Sequence, residues 1–198
     1  MTTWVCRTCL SVSLCLPLLL VNATQAEEFT WFGNHEADGD WSVGLKGASM
    51  NTGRAGHDDS TNSAVVLGYQ FSKLLGVPGS SGLELEISNA FDEGDILSDG
   101  QFGAPGEWSS NTLGLYFTYR SPGTVYFLGK VGALKTDVTT TIGTSADFKE
   151  QDTSFSYGGG LGLNLGRTGN FNVELEFVGS SGDNDINMIT LGGHYRFE

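Results

Sequence analysis

Cysteine is nearly absent, and where it occurs it is confined: Cys6, Cys9 and Cys15 are the only three, all within the first 26 residues. From Glu27 onward there is no thiol, which excludes a disulfide framework, a cysteine zinc site and a cysteine nucleophile. Positive charge is scarce as well. Ten Lys and Arg stand against 23 Asp and Glu, and every acid lies after Ala26. No basic stripe is left to meet nucleic acid or a heparin-like polyanion. After residue 26 no run of eighteen apolar residues exists, so no transmembrane helix is available. Histidine is limited to His35, His57 and His194, each read as structural or surface-exposed rather than catalytic.

What is there begins with a leader. Arg7 precedes an apolar run from Leu10 to Val21, followed by "NATQA" with small residues suited to cleavage after Ala26. Residues 1–26 therefore read as a secretory signal peptide, too short and wrongly flanked for a membrane span. Neither Cys9 nor Cys15 follows the small residues of a lipobox, so lipidation is not expected. Residues 27–40, "EEFTWFGNHEADGD", read as an N-terminal periplasmic segment that caps a barrel mouth, pairs as an extra strand or stays disordered. Residues 41–198 are sized for one domain.

The stretch "SFSYGGGLGLNLG", Ser154–Gly166, sets the pattern of that domain. Interior glycines each cost a helix about 1 kcal/mol relative to alanine, and leucines two apart would point to different helix faces. A strand fits instead, with one greasy face and one small, polar face. The same period recurs over 41–51, 62–72, 82–92, 109–120, 124–136, 153–165, 171–180 and 186–197. Apolar residues dominate the odd positions throughout. The even positions carry Lys46, Glu84, Glu86, Arg120, Lys130, Glu174, Glu176, His194 and Arg196.

A soluble sandwich or a lipocalin-like barrel also alternates but buries its apolar face, whereas an outer-membrane barrel turns it toward lipid. Loop rhythm separates them. Connections after the second, fourth and sixth segments are short or turn-rich, while "DEGDILSDGQFGAPGEW" and "DVTTTIGTSADFKEQD" are long, which matches periplasmic turns alternating with external loops. Aromatics then fall in two outward girdles, with Trp41, Tyr69, Phe71, Tyr119, Phe127, Phe171, Tyr195 and Phe197 at the periplasmic ends and Phe91, Phe155, Tyr157 and Phe177 toward the other rim. The sequence thus predicts an all-β fold: an eight-stranded antiparallel up-and-down transmembrane barrel with an apolar exterior and a polar lumen. Four inward acids face four inward bases, as a narrow lumen requires, since an unpaired buried charge costs several kcal/mol. Hairpin alignment sets Glu84 near Arg120, and Glu174 near His194 and Arg196. Gly158, Gly160 and Gly162 make room for long lumenal side chains.

At "LGGHYRFE" the chain resembles the C-terminal assembly signal of Gram-negative outer-membrane proteins, with Leu191, Gly193, Tyr195 and Phe197 as the matching residues. Residues 41–197 as a whole resemble the small eight-stranded OmpA/OmpX-type barrel family. Glu198 departs from that family, which usually ends on the aromatic. The resemblance implies export to the cell outer membrane, recognition by the barrel assembly machinery, and contact with outer-membrane lipid and lipopolysaccharide, the acidic loops meeting phosphates through Mg²⁺ or Ca²⁺. No catalytic, cofactor-binding or metal residue is assigned, and no cofactor. "GGGLGLNLGR" matches no phosphate-binding loop, the acidic loops match no EF-hand, and His194 has the wrong parity for the serine–histidine wall of a lipid A deacylase. The expected role is structural or surface-interacting, with acidic loops displayed outside; a narrow pore for a small solute is the alternative, and a lipid-modifying enzyme follows it.

Overall fold

The computed structural model describes residues 39–54, 56–71, 77–97, 105–142, 146–165, 170–182 and 186–197. The leader, most of the segment 27–40, and Glu198 lie outside the described residues. Among the described residues there are nine strands: β1 (Gly39–Asn51), β2 (Ser60–Phe71), β3 (Ser80–Asp92), β4 (Gly94–Ile96), β5 (Gly106–Arg120), β6 (Val125–Ile142), β7 (Ala146–Leu165), β8 (Phe171–Ser181) and β9 (Asn187–Phe197). Gly39 and Asp40 thus belong to the first strand rather than to the preceding segment.

Consecutive strands pair antiparallel except β3 and β4, which both pair with β5, β4 continuing the line of β3 after a break at Glu93. β3 and β4 therefore form one stave of eight. β1 closes the ring against β9, in register from Trp41↔Phe197 to Asn51↔Asn187. Closure leaves no sheet edge within the ring, which is what a strand structure needs in lipid, where nothing else satisfies backbone N–H and C=O groups.

Side-chain parity follows the sequence pattern. Leu45, Phe127 and Leu191 are 69%, 71% and 60% exposed, while Lys46, Tyr126 and Thr190 beside them in the alternation are buried. Thirty ångströms of hydrocarbon is the only solvent that tolerates such an outer face. Aromatic rings collect where the girdle was expected: Trp41 meets Tyr69, Tyr69 meets Phe71 and Tyr195 meets Phe197, each edge-on at 5.1 Å between centroids. The same end carries the short turn at Ser121–Pro122–Gly123, where Gly123 takes φ +130°. There Ser121 N–H donates to Phe127 O and Ser121 Oγ accepts from Phe127 N–H, both at 2.9 Å.

The structure corrects the sequence reading at the opposite end. Residues 137–152 were expected to be a long loop, but β6 continues to Ile142 and β7 starts at Ala146, paired throughout. The β-branched run Val138–Ile142 explains this, since it suits a pleated strand and outweighs the acids around it. The expected loop at 92–108 likewise contains β4, paired with Gly106–Trp108. Asp58 N–H to Asp95 O and Leu97 N–H to Gly56 O, both 2.8 Å, bind the connection after β1 onto it. β8 accompanies β7 only to the pair Phe155↔Ser181. Beyond it, nine residues of β7 rise about 30 Å further along the strand.

Ring closure is testable because the strands contain no native thiol. Gly47 and Leu191 are register partners on the outer face of β1 and β9, about 4.5–5.5 Å apart at Cα and within disulfide reach. A Gly47→Cys/Leu191→Cys chain folded in detergent should cross-link on oxidation, whereas Gly47→Cys/Ile189→Cys, on a diagonal, should do so poorly. Absence of the first cross-link in folded protein would show an open seam.

Candidate functional site

Inward-facing charges assemble into two tiers. In the lower tier, nearer the short-turn end, Arg120 at the end of β5 crosses the lumen to Glu174 on β8. Arg120 Nε donates to Glu174 Oε1 at 2.7 Å and Nη2 to Oε2 at 3.0 Å, a two-pronged contact of the stronger kind. Nη2 also reaches Glu84 Oε1 on β3, and Nη1 donates to Thr118 Oγ1 at 3.2 Å. Tyr126 on β6 adds its hydroxyl to Glu174 Oε1 at 2.6 Å. His194 Nε2 lies 3.3 Å from Glu174 Oε2.

The upper tier is a square of alternating sign. Lys46 on β1 and Lys130 on β6 each touch both Glu86 on β3 and Glu176 on β8, at 3.1 and 2.6 Å for Lys46 and 3.3 and 2.6 Å for Lys130. Each ammonium thus shares two carboxylates. Lys130 Nζ also sits 4.5 Å from the centre of the Tyr116 ring, a cation–π contact. Across the two tiers, the ion-paired side chains show at most 5% of their surface to solvent.

Two glycines make these positions possible. A β-carbon on Gly162 would run into the ring of Tyr126, its register partner, and one on Gly114 into the ring of Tyr116. Bare backbone there lets a tyrosine lie flat against the wall. Above the square the lumen turns apolar: Met50, Ile96, Trp108, Tyr116, Leu134, Val138, Val178, Ile186 and Met188 pack as one buried cluster. Sequence reasoning missed this plug. Its signal was present as apolar residues at even positions, which break the alternation near the upper rim. Four polar side chains beside it find partners locally: Asn62 Nδ2 donates to Ser88 Oγ and Ser110 O, Ser88 meets Thr112, and Trp108 Nε1 donates to Asp58 O.

Of the nine lumenal residues expected from sequence, eight come together in the tiers and one does not. Arg196 does not pair with Glu174. The β8–β9 register sets Glu174 opposite Gly192, so Arg196 lies four residues, about 13 Å along the strand, nearer the short-turn end, and Arg120 has taken the carboxylate. The two tiers therefore hold four acids and three permanent cations, with His194 beside them. Leu191, Tyr195 and Phe197 face outward, on the strand that completes the ring, and Gly193 lies between them. Glu174, Glu176 and His194 also bring ligand atoms within 4.8 Å of one another. Both carboxylates are already held by Arg120, Lys46 and Lys130, so a metal there would have to displace buried cations; the donor set does not favour one.

The sequence matches the family described as outer membrane protein beta-barrel domain over residues 12–197. The chain belongs to this family. This outer-membrane barrel shares its fold with several solved structures. Neisserial surface protein A covers 80% of this chain and 97% of its own with a TM-score of 0.54 at 11% identity. Ail, the attachment invasion locus protein of Yersinia pestis, covers the same shares with 0.51 at 17% identity, and its complex with the heparin analogue sucrose octasulfate 0.50 at 18%. At such identities the likeness is one of fold. No curated protein matches the sequence.

Energetics of the barrel's lower tier follow from its partners. Arg120→Met would leave Glu84 and Glu174 buried without their cation, an expected loss of about 3–5 kcal/mol. Adding Glu174→Gln should recover part of it, while Glu174→Gln with Arg196→Gln should be additive within about 0.5 kcal/mol. Urea unfolding in detergent measures both cycles; additivity in the first and coupling in the second would reverse the assignment.

Proposed function

We propose that this outer-membrane barrel is sealed and that its work is done outside, on a rigid acidic sheet raised above the membrane. The burial of both ion-pair tiers carries the first half of the reading. A water path wide enough to conduct would have to run beside Lys46, Lys130, Arg120 and their acids, yet water reaches almost none of their surface. Eight staves leave a lumen that side chains can fill, and above the tiers an apolar plug fills it again. Enzymatic lipid modification would need its histidine on the outer wall, whereas His194 is inside against Glu174.

The second half rests on β4 to β7. Their outer portions form a small sheet whose last strand, β7, has backbone from residue 146 to 154 that no described residue of β8 pairs. An edge of this kind is where an extended partner segment adds as a further strand. Its surroundings are acidic: Asp95, Glu93 and Glu107 crowd together, and the hydrogen bond and charge of Glu93, with a smaller contribution from Asp95, push the Glu107 carboxyl above its usual range. Ail of Yersinia pestis has been solved with a sulfated heparin analogue; a crown of this sign suits instead a basic partner, or lipopolysaccharide phosphates bridged by Mg²⁺ or Ca²⁺. Leu191, Gly193, Tyr195 and Phe197 would be read by the barrel assembly machinery during insertion, after removal of residues 1–26.

Purified folded barrel in a planar bilayer should give no discrete conductance steps, and an epitope inserted between residues 143 and 145 should be reached by antibody on intact cells while one at 121–123 is not. Reproducible steps would make it a pore, and reversed accessibility would put the sheet on the periplasmic side.

A further inference from the structure

Away from the crown, at the short-turn mouth, lies a cavity of about 150 Å³. Its walls come from five staves: Gly79 and Ser80, the segment Arg120–Gly123, Tyr126, Asn164 and Arg196. Among the described residues no carboxylate lines it, in a chain where acids outnumber bases by more than two to one. Two arginines do. Arg120, at the lumenal side, is consumed by Glu84 and Glu174, and Tyr126 spends its hydroxyl proton on Glu174. Arg196 is different. It points inward near the C-terminal end of β9, is half-buried, forms no ion pair with a described carboxylate, and its Nε is buried without a hydrogen-bond partner.

A guanidinium N–H shut away from water and left unmatched is expensive. The cheapest remedy is an acceptor that enters the cavity. Ser121 stands ready on the opposite wall: its Oγ accepts from Phe127 N–H, so its own proton is free to point into the space. Asn164 is pinned by its Nδ2 donating to Gly123 O at 2.8 Å, which fixes the rim of the cavity. A guanidinium with no counter-charge among the described residues, offering its planar fork of donors beside a serine hydroxyl, suits a singly charged oxyanion. The volume admits one such group with a water or two.

We infer that the short-turn mouth of the barrel is a binding site for a singly charged oxyanion, a carboxylate or a phosphodiester group, held by Arg196 and Ser121. By the rule that short turns face the periplasm, the ligand comes from that compartment. The site is at the opposite end from the acidic sheet, so its success or failure is independent of conductance and of surface display.

The test is titration of the full folded chain, ¹⁵N-labelled in an uncharged maltoside detergent, with sodium acetate and with dimethyl phosphate against matched sodium chloride. Arg196 Nε–H and the Ser121 amide should shift saturably with at least one of the two probes; acetate alone identifies a carboxylate site and dimethyl phosphate alone a phosphodiester site. Arg196→Gln should abolish the Ser121 shift while gel mobility still changes on boiling, and Ser121→Ala, which spares the charge, should weaken the apparent affinity severalfold. No saturable shift with either probe, or an unchanged Ser121 shift in Arg196→Gln, would overturn the inference.

Discussion

In a barrel of eight staves the lumen has no room for bulk water, so each charge buried between its two mouths must find its counter-charge among the other inward side chains. The rest of the molecule is arranged around that constraint. Glu84, Glu86, Glu174 and Glu176 project from only two staves, as i and i+2 pairs on β3 and β8, and the bases that answer them come from β1, β5 and β6. Apart from Arg120–Glu84, on the paired strands β5 and β3, each of these ion pairs ties together strands that do not share a ladder. The tiers act as cross-braces: hydrogen bonds fix neighbouring strands to each other, and the salt links fix opposite walls.

Space is the second consequence. Tyr116 and Tyr126 can serve the tiers only because Gly114 and Gly162 leave the wall bare behind their rings. Pure hydrophobic fillers of the same volume often match or exceed a buried ion network in stability, and the upper lumen uses them. Charge below and grease above divide the interior, with the seam at Lys130 against the Tyr116 ring.

Parity, the outward girdles and the number of staves were legible in the sequence, because a period of two survives any detail of register. The pairing of Glu84 with Arg120 and the proximity of Glu174 to His194 were within reach of hairpin alignment. The link from Arg120 to Glu174 was not: the two lie on β5 and β8, 54 residues apart, and meet only because the sheet closes. Alignment of β8 with β9 alone offered Arg196 in its place. The strand extensions of β6 and β7 were obscured by the acids of residues 137–152, which suggested a solvated loop although Val138–Ile142 favoured extended backbone. The plug was hidden for a related reason, since attention to odd apolar positions passes over Met50, Trp108, Leu134 and Met188.

Slow exchange of the ammonium protons on Lys46 and Lys130 is the most direct measure of a sealed lumen. In ¹⁵N-lysine spectra of the folded barrel near neutral pH, both should give persistent Nζ–H signals while Lys135, 46% exposed, gives none. If Lys46 and Lys130 lost their ammonium protons to water as quickly as Lys135, the interior would be wet and the tiers would not close it.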